Sequence, residues 1–161
     1  MSSSNLQFNS IRGWYVSLFF SIILLFSNFS IYADENKAKL CQVSGESELY
    51  SPVFLLSLGI KTQVQANHSN SRNVNHIISL HKKAIQYFQQ YINCAKENKI
   101  PISSSTYYLK ASSHFEIKEW AESLSDVDSS LAIANNQYKD ALILKSRLLI
   151  KQNKFKQAAD L

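Results

Sequence analysis

"YYLKASSHFEIKEWAESL", from Tyr107 to Leu124, is followed 35 positions later by "LILKSRLLIKQNKFKQAA", from Leu142 to Ala159. Aligned without a gap, Tyr107 meets Leu142, Tyr108 meets Ile143, Leu109 meets Leu144, Lys110 meets Lys145 and Ala111 meets Ser146. Further on, Phe115 meets Ile150, Trp120 meets Phe155 and Ser123 meets Ala158. Each pair keeps its size class or its polarity. Two unrelated amphipathic helices would share apolar spacing within one helix. Here the agreement also crosses the breaks at "KE" and "NK" into a second helix. A helix-turn-helix unit of this period predicts stacking, because one hairpin cannot bury its own apolar face. The expected fold class is therefore all-α, with antiparallel helix hairpins stacked as a short α-solenoid.

Composition agrees. Three glycines and two prolines in 161 residues leave few places for tight β-turns. The 45% apolar content is that of an ordinary globular chain. Upstream of the echo, "VNHIISLHKKAIQYFQQYINCAKENK" carries Ile77, Leu80, Ala84, Tyr87, Phe88, Tyr91 and Cys94 at spacings of three and four, which predicts a long helix with one core face. Pro101 ends it by disfavouring helical geometry in Ile100, and Ser105 is a candidate cap for the next helix. Before that, "SPVFLLSLGIKTQV" has Ser51 as a candidate N-cap and Pro52 at the first helical position, so a short helix is expected near 51–64. A buried strand is the other reading of that apolar run. The stretch from Asp34 to about Leu49 is polar and irregular.

The first 33 residues have the pattern of an export signal: a polar start with Arg12, the apolar stretch "WYVSLFFSIILLF" from Trp14 to Phe26, and "SNFSIYA" before the charged "DENK". Ile31 and Ala33 suit a peptidase site, so a mature chain beginning at Asp34 is expected. The alternative is an uncleaved anchor extended to Tyr32, for which the polar Ser27, Asn28 and Ser30 are a poor composition. Two cysteines, Cys41 and Cys94, lie beyond the cleavage point, and an even number in an oxidising compartment predicts one disulfide. Two unpaired thiols are the other reading. The expected localisation is exported, periplasmic or secreted, with a membrane-anchored form as the alternative. The domain reading is a signal peptide at 1–33, an N-terminal segment at 34–72 and a helical repeat domain at 73–161.

The formal charge of +5 carries no nucleic-acid signature. Lysines are scattered among acids, with no block of like charge and no Arg-rich stripe, so no nucleic-acid partner is expected.

The second unit, "ALILKSRLLIKQNKFKQAADL", resembles the tetratricopeptide repeat, whose pattern has a small residue in helix A, an aromatic opening helix B and an alanine three residues later. Ser146, Phe155 and Ala158 take those places, and Ala111, Trp120 and Ser123 take them in the preceding unit. "AIQYFQQYI" reads as the second helix of an earlier, degenerate unit. The family glycine is replaced by Ala111 and Ser146, the terminal proline by Asn135, and Lys110 and Lys145 stand where leucine is common. The last helix is shorter than the family's, which reads as truncation with an open last repeat through which the chain could self-associate.

Catalytic chemistry has no sequence support. His68, His76, His81 and His114 are too irregularly spaced for a metal cluster, and there is no phosphate loop or nucleophile elbow. His114 falls at a core position and reads as a hydrogen-bonded structural histidine. Asp126 and Asp128 read as solvated carboxylates. No cofactor, metal or catalytic residue is therefore expected.

The resemblance implies a groove lined by the A helices, with Tyr108, Ser112, Phe115, Ile143, Arg147, Ile150 and Lys151 facing it. Tyr108 and Phe115 are the expected anchors, and Arg147 or Lys151 the readers of acidic groups. The expected function is that of an exported, non-enzymatic scaffold binding a protein or peptide. The alternatives are a membrane-tethered assembly factor and a helical accessory region of a larger enzyme. Contact with a membrane is expected only through the signal or an uncleaved anchor.

Overall fold

A computed structural model describes residues 40–42, 49–69 and 73–161. The signal and cleavage readings lie outside the described residues. The described part belongs to the compact unit Lys39–Leu161.

Six helices make up almost all of it: α1 (Pro52–Asn67), α2 (Val74–Glu97), α3 (Ser104–Glu116), α4 (Trp120–Ile133), α5 (Lys139–Lys151) and α6 (Phe155–Ala159). The apolar run after Ser51 is thus a helix and not a strand. Ser51 caps it, its backbone extended and its side chain accepting from the Phe54 N–H, with Pro52 in the first turn. At α2 the cap is Asn73, which accepts from the N–H groups of Asn75 and His76. The helix expected to start after Ser105 starts earlier, with Ser103 as its N-cap. The Ser103 hydroxyl is held by the Ser105 and Thr106 hydroxyls, at 2.8 and 3.0 Å, so the start of α3 is tied together by side chains among themselves.

One feature escaped the sequence pattern. Cys41–Gln42 (β1) and Leu49–Tyr50 (β2) pair antiparallel, Cys41 opposite Tyr50 and Gln42 opposite Leu49. A two-residue ladder has too few positions to show alternation. It brings Cys41 beside α2, where Cys41 and Cys94 form a disulfide with Cα atoms 5.8 Å apart. Asn98 closes over this bridge, its amide donating to the Cys94 carbonyl at 2.8 Å. Leu55, Tyr91, Ile92 and Ala95 bury it.

Packing follows chain order. α1 lies on α2, α2 on α3, α3 on α4, α4 on α5 and α5 on α6, while α3 also touches α1 and α5. Within α1 the glycine at 59 is set by this packing: a Cβ there would stand 2.7 Å from the fully buried ring of Phe88. The face of α2 read from the sequence is the packed one, since Ala84, Phe88, Tyr91 and Cys94 are all buried.

The turn between α3 and α4 and the turn between α5 and α6 are built alike. Lys118 and Asn153 both adopt left-handed backbone, at φ 66° and 60°. The Glu119 N–H reaches the His114 carbonyl at 2.9 Å, and the Lys154 N–H reaches the Leu149 carbonyl at the same distance. These bonds satisfy carbonyls that a helix end would otherwise leave open. Small residues then bring the paired helices together. The Ser123 hydroxyl donates to the Ala111 carbonyl at 2.8 Å, and the Ser146 hydroxyl lies 3.4 Å from the Ala158 carbonyl.

Candidate functional site

Phe115 ends α3 as a buried ring, only 8% exposed. Its edge meets Trp120, the first residue of α4, with centroids 5.1 Å apart and planes at 61°. The Arg147 guanidinium, from α5, lies over the Phe115 ring at 4.4 Å. Such an arrangement is worth ~0.5–2 kcal/mol and leaves the cation's outer face in solvent. The three groups come from two helices and the start of a third, and the left-handed turn at Lys118 is what swings Trp120 back onto Phe115.

Around this stack is a depression of about 420 Å³ lined by Phe115, Glu116, Lys118, Trp120, Arg147, Ile150 and Lys151. Four of the expected groove residues, Phe115, Arg147, Ile150 and Lys151, thus converge. Phe115 is the base of the site under Arg147 and not a projecting anchor, because a cation lies over its ring and Trp120 packs against its edge. Ile150 stays about half exposed. Three cations against the single carboxylate of Glu116 make the depression electropositive, so it can take an anionic group beside an apolar wall.

Tyr108 sits apart from that depression, edge-on to Tyr138 with centroids 5.3 Å apart. Burial pushes its phenol pKa up, the Asp140 carboxylate adds to the shift and the Arg147 charge opposes it. Arg147 is therefore felt at both ends of the α3 face. Ile143 is exposed and Ser112 half-buried, and neither lines the depression. Trp120, Lys118 and Glu116 were not among the expected site residues. The repeat register groups only helix-A positions, whereas these three belong to the turn that follows Phe115 and to its immediate flanks.

A second polar cluster overturns one reading. Asp126 is not solvated: it is buried, and its Oδ1 accepts from Lys110 Nζ at 3.0 Å. Its Oδ2 faces His114 Nε2 at 3.6 Å. Asp128 is exposed as expected, but it pairs with Lys145 at 2.8 Å. Lys110 and Lys145 therefore each reach a carboxylate of α4. His114 is buried, and its Nδ1 is 2.6 Å from Glu119 Oε2, the structural role its core position implies. Among the described residues no three His, Cys, Asp or Glu side chains come close enough to hold a metal.

No protein-family model, curated protein or solved structure matches the chain.

Proposed function

We propose that the protein is an exported, non-enzymatic scaffold of the tetratricopeptide-like class, which binds an acidic segment of another protein on the face formed by α3 and α5. The observation that carries this reading is the Arg147–Phe115–Trp120 stack with Lys118 and Lys151 beside it. Arg147 is pre-positioned on a rigid aromatic base, so a carboxylate bound to it needs little side-chain ordering. Two hairpins closed by equivalent turn bonds support the stacked-repeat part. The signal-like start supports the export part, as does a disulfide between Cys41 and Cys94. Among the described residues no helix is long and apolar enough to cross a membrane.

The test is a crosslinked capture from envelope extract, followed by binding of the captured segment as a synthetic peptide. Wild type is compared with Arg147→Glu and Lys151→Glu, both at exposed positions, after circular dichroism verifies that each variant is folded. The expected result is at least a tenfold loss in the variants and a fall in affinity with salt. Equal binding by wild type and both variants would remove the α3–α5 face from consideration.

A further inference from the structure

His114 and Glu119 are joined twice. The Glu119 N–H donates to the His114 carbonyl at 2.9 Å, and the side chains meet again at 2.6 Å, Nδ1 to Oε2. The second hairpin makes the same turn with only the first of these bonds. There the Lys154 N–H reaches the Leu149 carbonyl at 2.9 Å and Asn153 repeats the left-handed backbone of Lys118, but the Leu149 side chain has no polar atom to offer Lys154. The turn therefore forms without a side-chain bond. What differs is what the two turns carry. Trp120 is held against Phe115, whereas Phe155, at the same place in the second hairpin, is 61% exposed. Lys118 and Trp120 both line the electropositive depression, and Glu119 between them is held by His114.

His114 also faces a second carboxylate. Its Nε2 is 3.6 Å from Asp126 Oδ2, and that buried oxygen has no hydrogen-bond partner. A neutral imidazole has one N–H. Given to Glu119, it leaves a ring lone pair facing Asp126; given to Asp126, it leaves one facing Glu119. With both nitrogens protonated the ring can donate to both carboxylates, through charge-assisted bonds. The surroundings leave these two acids as its partners. Lys110 holds the other oxygen of Asp126 at 3.0 Å. Helix α2 faces the pair with Ile85, Gln86 and Gln89, and Glu122 of α4 lines the same depression, through which solvent reaches it. From α1 comes the uncharged Gln63, bound to the Ser113 hydroxyl, and from α5 comes Arg147, over the neighbouring Phe115 ring. Among the described residues no acid of α1, α2 or α5 pairs with His114.

We infer that His114 and Glu119 are a positioning pair for the α3–α5 face, and that protonation of His114 completes the pair, fixing Lys118 and Trp120 for an acidic segment. Affinity for such a segment therefore falls as the imidazolium loses its proton, that is, as pH rises. The inference rests on the α3–α5 face being the binding face.

The experiment reads the anisotropy of labelled hexaglutamate and the emission of Trp120 in the full chain at about pH 5.5 and about pH 8, across the range where histidine changes charge. Hexaglutamate stays ionised throughout, since the ordinary glutamate value is about 4.3. Trp14→Phe leaves Trp120 as the one tryptophan. In that background the wild type is compared with His114→Leu, which installs the side chain of the second hairpin, and with Glu119→Ala, whose position makes no side-chain cap bond to α4. Circular dichroism verifies that each is helical. Wild type is expected to bind at least about fivefold more tightly at the lower pH, with a shift in Trp120 emission. Both variants are expected to bind more weakly than wild type at the lower pH and to show little pH dependence in either signal. For Glu119→Ala this opposes the effect of net charge, because losing a carboxylate near Lys118, Arg147 and Lys151 would by itself strengthen anion binding. His81, whose pKa burial lowers, is present in all three proteins and drops out of the comparison. The inference is overturned by a wild type whose two signals ignore pH, or by variants that bind and titrate like wild type. Emission that titrates in the wild type alone, with no hexaglutamate bound or with binding that Arg147→Glu leaves intact, overturns the α3–α5 reading and the regulation that rests on it.

Discussion

The Ser123 hydroxyl donates to the Ala111 carbonyl at 2.8 Å, and 35 positions on the same two places are joined again with the donor on the other helix, Ser146 to Ala158. Ala111 and Ser123 are fully buried, so the α3–α4 crossing is set by the absence of larger side chains. Ser123→Ala removes only the hydroxyl and is expected to cost about 1 kcal/mol. Ser123→Leu must push the helices apart and is expected to cost about 3 kcal/mol or more. Urea unfolding separates the two, and equal costs would show that the crossing is not packed as described.

Lys110–Asp126 and Lys145–Asp128 are both ion pairs, but only the first is withdrawn from water. Side-chain exposure is 13% and 10% in the first and 28% and 53% in the second. Lys110→Met leaves Asp126 buried beside His114 without its lysine, and is expected to cost about 3 kcal/mol. Lys145→Met is expected to cost under ~1 kcal/mol. Replacing Lys110 and Asp126 together by apolar residues should restore most of the stability in chemical denaturation.

Gly59→Ala would improve helix propensity by about 1 kcal/mol in an exposed position. Here its Cβ would meet the Phe88 ring at 2.7 Å, and that ring is enclosed. Net destabilisation of roughly 1–3 kcal/mol is expected. The second-site change Phe88→Leu should recover part of it, which a thermal melt of the three variants would read.

His81 is buried in α2, and burial lowers its pKa below the usual 6.5, partly opposed by the Glu116 charge. In this case the folded form binds the proton less readily than the unfolded chain. The contribution to stability is therefore fully present above about pH 6.5 and is lost as pH falls through the folded value. His81→Leu is expected to flatten the stability curve on the acid side, as followed by urea midpoints between about pH 7 and pH 5. An unchanged slope would assign the acid sensitivity to another group.

How far the sequence reaches depends on how local the cause is. Ala111, Ser123 and Trp120 are legible because close helix approach demands small residues at one spacing and a ring at another, whereas Phe155, 35 positions after Trp120, is 61% exposed. The cap at Ser51 is legible for the same reason, as it acts within three residues. Asp126 is not legible: a carboxylate two places from another on a helix looks solvated, and its partner Lys110 is brought to it only by the hairpin turn. Phe115 shows the same limit within the candidate site. Its apolar character is plain from the sequence, but the cation that covers it comes from α5 and the ring beside it from beyond a left-handed turn. The β1–β2 pair is two residues to a strand, too short for a strand pattern to show in the sequence.

The chain-order packing of the helices has a dynamic consequence. Each helix is supported by its neighbours, so opening one hairpin exposes the next without disturbing those beyond it. Backbone amide hydrogens should therefore exchange in a gradient along the molecule. Protection should be deep in α2 to α5, each packed between two other helices, and shallow in α6, whose first residue Phe155 is 61% exposed.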